Sequence, residues 1–373
     1  MHIVDIRERT VSIGSAMRNA SIAFDTMTAS ALVLETESGI GYAFDSIGRY
    51  GKGALLRERF IPRLLQAERG SLLDAAGLID PAACARAAMA NEKPGGHGER
   101  PGAIGLIEAA AWDLRAKMQR VPLWRSISEY YGVRDVSPEI PVYASCGHFR
   151  PNDDLRIESG KVRDAGYALI KIKLGGVDVS DDARRVETVS TQGIKVAVDV
   201  NGMLAPHIVE RWFAALDAFG LAWIEEPAPP LDFELLAKYS AMSTTPIATG
   251  ENLFSFDDAR NLLRYGGLRR ERDFVQVDPL LSYGLGEFAR ILDTYRAAGW
   301  EKKHFLRHAG HLFAAHCVAG LKLGMAEAAP DAALPYGGFW DGVRVAGGRV
   351  TIPDLPGAGY EAKANLFAIL EST

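Results

Sequence analysis

Cysteine is scarce in this sequence: only Cys84, Cys146 and Cys317 occur among 373 residues, widely spaced and odd in number. That excludes a disulfide framework and fits reduced intracellular thiols. No run of 18 apolar residues is present, so no transmembrane helix is expected. The opening MHIVDIRERT reads as a charged strand and lacks the apolar centre of a signal peptide. Basic residues are in deficit, 42 Lys and Arg against 47 Asp and Glu, for a net charge of −5. A general nucleic-acid surface would need the opposite balance. A cytoplasmic protein without membrane or nucleic-acid partners is therefore expected.

What is present is ordinary globular material, 48% hydrophobic and 24% charged. The length suits one large barrel with a companion domain. Residues 1–125 read as an α+β capping domain. Ile3–Arg7, Thr28–Thr36 and Gly41–Phe44 alternate as antiparallel strands do, and helical patterns cover Gly53–Leu65, Pro81–Asn91 and Ala103–Gln119. Two polar loops stand out there, Gly14–Ile22 and the charged, glycine-rich Lys93–Gly102. Loops of this kind are where function concentrates. Residues 138–330 change to short apolar strands alternating with helices, the inventory of a (β/α)7β barrel. Residues 331–373 are turn-rich, with a hairpin expected around Gly347-Gly348 and a return to the capping domain.

The chemistry lies in the last polar residue of each barrel strand. Lys173, Asp199, Glu225, Glu251, Asp278 and His308 follow one another at spacings of 26, 26, 26, 27 and 30 residues. One βα unit has about that length, so the six should form a ring at the C-terminal mouth of the barrel. Any one alone would more simply be a helix cap or a surface residue. Six ionisable groups closing consecutive buried strands by chance is a poor account, because unpaired charge is rarely buried. Asp199, Glu225 and Glu251 would converge and repel unless a cation neutralised them, and all-oxygen ligation suits Mg2+. Zinc on His304, His308, His311 and His316 is the weaker reading, since their spacing is mixed and no Cys pair or HExxH accompanies them. A nucleophilic Cys146 is weaker still, having no base paired with it by motif. Lys171 and Lys173, two apart on one strand, share a face, and the charge on Lys171 favours a neutral Lys173. Lys173 is thus the candidate base, and Asp278 can orient the imidazole of His308. His311 and His316 fit a core role better. Glu226 should point away from its neighbour Glu225.

The ordered set LIKIK, AVDVNG, WIEEP, ATGEN, VQVD and RHAGH resembles the mandelate racemase subgroup of the enolase superfamily, over essentially the whole chain. That resemblance implies a modified TIM barrel beneath a capping domain, homo-oligomeric assembly, and one Mg2+ per subunit on Asp199, Glu225 and Glu251. Within the subgroup, residues 48–51, 91–100, 250–255, 258–267, 282–287, 335–339 and 341–345 resemble the D-tartrate dehydratase family. By that likeness Lys173 removes the α-proton of an acid sugar or dicarboxylate, Lys171 and Glu327 meet its carboxylate, and His308 expels the β-hydroxyl. Tartrate would become oxaloacetate and water. Asn19 and Lys93 would reach the distal end of the substrate, with Asn201 and His148 also in the pocket. The pattern departs at Ile47, in place of a polar Asn, at His148-Phe149-Arg150, in place of a tyrosine-rich run, and at Arg307-His308-Ala309, in place of Pro-His-Gly. The substrate could then be another diacid or aldonic acid. A racemase or epimerase using Lys173 and His308 as two bases is the alternative.

Overall fold

Alternating small and β-branched residues lay down three antiparallel strands, β1 (Ile3–Ser12), β2 (Thr28–Thr36) and β3 (Gly39–Phe44), in that order across the sheet. The computed structural model describes residues 2–13, 15, 17–46, 51–93, 95, 99–149, 154–329 and 338–373. The alanine-rich helix Arg100–Gln119 lies against β2 and β3. Small residues allow the approach to be close: a Cβ on Gly41 would stand 2.2 Å from the carbonyl oxygen of Ala110.

The second sheet is parallel. β4 (Glu139–Cys146), β5 (Leu169–Lys173), β6 (Lys195–Asp199), β7 (Ile224–Glu225), β8 (Ile247–Thr249) and β9 (Phe274–Val275) pair in sequence order. The seventh position, expected as a strand over 304–308, is held only by single bridges, Val275 to Phe305 and Arg307 to Ala326. β10 (Ala326–Ala328) pairs with β4 and closes the ring. Seven α-helices alternate with these eight positions among the described residues, from Leu155–Asp164 to Leu312–Leu321. This is the (β/α)7β barrel. None of the helices among the described residues is long and apolar enough to cross a membrane.

The C-terminal stretch turns at Gly347-Gly348 as expected, with Ala346 and Arg349 exchanging backbone hydrogen bonds across it (2.9 and 3.0 Å), and β11 (Arg349–Thr351) also adds antiparallel to β4. Pairing with the barrel buries Val350 beside Ile140, which a two-stranded hairpin in water could not do. Beyond it, helix Ala364–Glu371 touches β2 and β3, with Phe367 edge-on to Tyr42 at 5.6 Å.

A buried carboxylate joins the two sheets' layers. Glu108, on helix Arg100–Gln119, accepts from the backbone N–H of Leu285 and of Gly286 (3.1 Å) at the start of helix Leu285–Ala297. Gly284 precedes them with φ 97°, and a Cβ there would lie 1.8 Å from Glu108. Burial pushes the Glu108 carboxyl up to about 8, against the pull of those two N–H groups.

His316 has the core role expected of it. Its Nδ1 accepts from the Trp124 N–H at 3.1 Å, and Nε2 lies 3.2 Å from the Ala358 carbonyl, so the ring is neutral with its proton on Nε2. Burial lowers its pKa from 6.5 to about 4. A depressed folded pKa means stability is complete above 6.5 and is lost as pH falls toward 4, by about 3 kcal/mol in full. Denaturant unfolding at pH 8 and pH 5 should show a drop in the wild type that is smaller in His316→Gln. Equal drops in both proteins would refute this.

Candidate active site and metal centre

β5 supplies the first two side chains. All five of its residues are buried, and alternation turns Lys171 and Lys173 into one cavity at the C-terminal mouth. Register places Lys173 opposite Asp199 and Asp199 opposite Glu225 on the next two strands, whereas Glu251 and Asp278 follow the ends of β8 and β9, so the second half of the ladder sits just beyond the strands. Asp199, Glu225 and Glu251 each offer a carboxylate oxygen within 4.8 Å of the others, and all three are buried. Among the described residues they are the one group of carboxylates, histidines or thiols placed to share a metal. Glu226, with φ 44°, turns away and accepts from Asn252 Nδ2 at 2.8 Å. His304, expected only in the zinc alternative, packs on Phe274 at the barrel wall and meets the Asp273 carbonyl at 2.8 Å. Cys146 is buried, is in no disulfide and does not line the cavity.

Three buried carboxylates this close together are costly unless cations match them. Burial raises Glu225 to about 7, with Asp199, Glu327 and Glu251 pushing the same way against Lys171. Lys171 pairs with Glu225, lies 3.0 Å from Glu327 and 3.7 Å from Asp199. Burial opposes its charge, yet these acids hold its pKa well above the usual lysine value. Lys171 therefore stays positive beside Lys173, as expected, and Lys173 pairs with Asp199. Glu327 is opposed by burial but held down to about 2 by Lys171 and His308, and it accepts from the Ala309 N–H at 2.9 Å. The hard, all-oxygen donor set fits Mg2+.

His308 sits across the cavity at the seventh barrel position. Its Nδ1 is 3.2 Å from Asp278 Oδ2 and its Nε2 is 3.1 Å from Glu251 Oε2. Burial works against the imidazolium, but Glu251 and Asp278 lift its pKa from 6.5 to about 10. Asp278 is buried, yet His311 and His308 hold it well below the usual carboxylate range. His311 departs from the core role expected of it. Its Nδ1 accepts from Ala314 N at 3.1 Å, so Nε2 carries the proton and faces Asp278 at 3.3 Å. The motif RHAGH held the signal: a histidine three residues on, at the cap of the following helix, folds back on the same carboxylate. Arg307 points the other way, over the Phe288 ring at 4.1 Å. Its three guanidinium nitrogens have no hydrogen-bond partner among the described residues, and burial pulls its pKa down to about 10.

The capping loops supply the cavity's other wall. Ile13, Met17 and Phe24 line it, and His148 stands edge-on to Phe24 at 6.4 Å. Asn19 also lines it, but its Oδ1 accepts from the Ser21 N–H (2.8 Å) and the Ile22 N–H (2.7 Å), leaving only the amide NH2 for a ligand. Asn201 donates to Asp199 through its N–H at 2.8 Å and its Nδ2 at 3.3 Å. Its Oδ1 is buried without a partner among the described residues. Lys93, expected at the distal end of the substrate, is exposed and is not among the residues that line the cavity. Ile47 and Arg150 lie outside the described residues.

Residues 154–366 match the family model described as enolase C-terminal domain-like. A 3,6-anhydro-alpha-L-galactonate cycloisomerase of Streptomyces coelicolor is 29% identical over 269 residues, covering 71% of this chain and 70% of that protein. An L-talarate/galactarate dehydratase of Salmonella typhimurium is 32% identical over 196 residues, 51% of this chain and 47% of the relative. The match thus spans about half the length of the dehydratase. A Streptomyces coelicolor racemase crystallised with magnesium superposes with a TM-score of 0.81 at 22% identity, covering 99% of each chain.

A divalent cation should raise the unfolding temperature of the wild type. At a hundred times its Kd the stabilisation is about 2.7 kcal/mol. Glu251→Gln should lose most of that shift, read by thermal unfolding with and without Mg2+. An undiminished shift in the variant would place the ion elsewhere.

Proposed function

The chain belongs to the enolase superfamily, and from that premise we propose that it is a Mg2+-dependent acid-sugar dehydratase, a hydro-lyase acting beside a substrate carboxylate. One observation carries the reading: a lysine and an imidazole held by a carboxylate face a single cavity over three buried carboxylates. Two groups that can take and give protons, at the second and seventh of eight barrel positions, suit removal of an α-proton and loss of a β-hydroxyl. Asp199, Glu225 and Glu251 would hold one Mg2+, which would supply positive charge beside the substrate carboxylate and lower the cost of charge building there.

Each remaining role falls to a residue of the chain. Lys173, which lines the cavity beside Asp199, takes the α-proton. Lys171, whose charge its acidic neighbours secure, faces the carboxylate oxygens as they become more negative. Glu327 fixes Lys171 at 3.0 Å and shapes the same end of the cavity. His308, kept protonated between Asp278 and Glu251, gives its proton to the departing hydroxyl, which leaves as water. The enol product tautomerises to a 2-oxo acid. Asn201 Oδ1 and the Asn19 amide are left to meet substrate hydroxyls.

Within this class we propose D-tartrate as the first substrate to try, on the segments of the capping domain, barrel and C-terminal stretch that resemble the tartrate enzymes. The L-talarate/galactarate dehydratase among the relatives supports testing six-carbon diacids beside it. Incubation with Mg2+ and a panel of mono- and diacid sugars, read as 2-oxo acid formation, tests the reading. General-acid assistance is worth roughly 10²–10⁴ in rate. His308→Asn should therefore lose dehydration while keeping exchange of the α-proton with solvent deuterium. Persistence of both activities would refute these roles, and inverted configuration in recovered substrate would favour a racemase or epimerase.

A further inference from the structure

Asp278 is reached from the capping domain as well as from the barrel. Ser46, fully buried at the end of the segment that follows β3, places its Oγ 2.6 Å from Asp278 Oδ2. That is the same oxygen that faces His308 Nδ1 at 3.2 Å. An ionised carboxylate only accepts, so the serine hydroxyl is the donor. Ser46 has little freedom to be anywhere else. Its neighbour Asp45 donates its N–H to the Ser30 carbonyl (3.0 Å), accepts the Ser30 N–H on its carboxylate (3.3 Å) and forms a buried pair with Lys52. Lys52 Nζ also lies 3.4 Å from the Leu280 carbonyl, and the Leu280 N–H donates to Asp278 Oδ1 at 2.8 Å. Both oxygens of Asp278 are thus tied, directly or through Leu280, to one short stretch of the capping domain.

We propose that Ser46 is a positioning residue for the acid: it fixes Asp278 Oδ2 and, through it, the His308 ring, so that seating of the capping domain and aim of the proton donor are set together. This rests on the dehydratase reading above. Ser46 does not line the substrate cavity, so it acts through Asp278 and not on substrate. The base, Lys173, stands on a different strand and is held by a different carboxylate, so proton abstraction should not depend on Ser46.

The test is a ratio measured on one sample, dehydration against α-proton exchange in deuterated solvent with Mg2+ present. A hydrogen bond to a charged group is strong enough that Ser46→Ala should lower kcat for dehydration about tenfold. KM should stay within about twofold, and exchange should continue. Ser46→Thr, which keeps the hydroxyl, should recover most of the loss. Ser46→Cys, similar in size with a weaker donor, replaces the alanine variant if that protein does not fold, and should also lower the ratio. An unchanged ratio in Ser46→Ala with an active wild type overturns the inference alone, as does equal loss of both activities. Absence of wild-type turnover on every acid sugar overturns the dehydratase reading and this inference with it.

Discussion

Mutual repulsion of buried carboxylates is the constraint on which the rest of the mouth depends. Asp199 and Glu225 end neighbouring strands and Glu251 follows the next, and all three carboxylates are buried close together. Such a trio persists only if cations surround it. The chain provides two on the preceding strand, Lys171 and Lys173, and an imidazolium from the far side, His308. The alternation that puts both lysines on one face of β5 is thus an electrostatic requirement before it is a catalytic device. The same argument makes the site a natural seat for a divalent ion, which can replace several weaker partners at once.

Asp278 plays the corresponding part for the acid. It gathers His308, His311, Ser46 and the Leu280 N–H around one carboxylate. Each neighbour donates, so the group stays ionised and its geometry is over-determined. Donors from the barrel wall, the following helix and the capping domain meet there. Orientation of the imidazole is therefore a property of the whole chain rather than of the seventh barrel position, which is itself bound only by two single bridges.

Much of this was legible in the residues. A repeat of 26 to 30 positions fixes barrel register, because each βα unit must return to the same level of the sheet. That is why Lys173, Asp199, Glu225, Glu251 and His308 could be named from spacing. Period-two alternation likewise separated Glu225 from Glu226. What could not be read depends on contacts between distant segments. His311 looked like a core histidine because its link to Asp278 requires the turn before helix Leu312–Leu321. Ser46 carries no motif, being 232 positions from its partner. Lys93 was placed in the pocket by likeness, but charge and loop position do not fix where a long side chain emerges. The Gly-Gly turn of the tail was legible because it needs only local residues, whereas the pairing of β11 with β4, some 210 positions earlier, was not.

The clamp at Glu108 has a consequence for how such enzymes can be rebuilt. Its carboxylate and the bare Cα of Gly284 fit each other so closely that a side chain at 284 would have to displace it. The segment from Asp278 to Gly286 therefore answers to the capping domain above it as much as to the barrel beneath. Grafting only the loops that contact a ligand from one relative to another would leave that seam mismatched. A chimaera designed to change specificity should carry residues 278–286 together with the cap, as one exchangeable module.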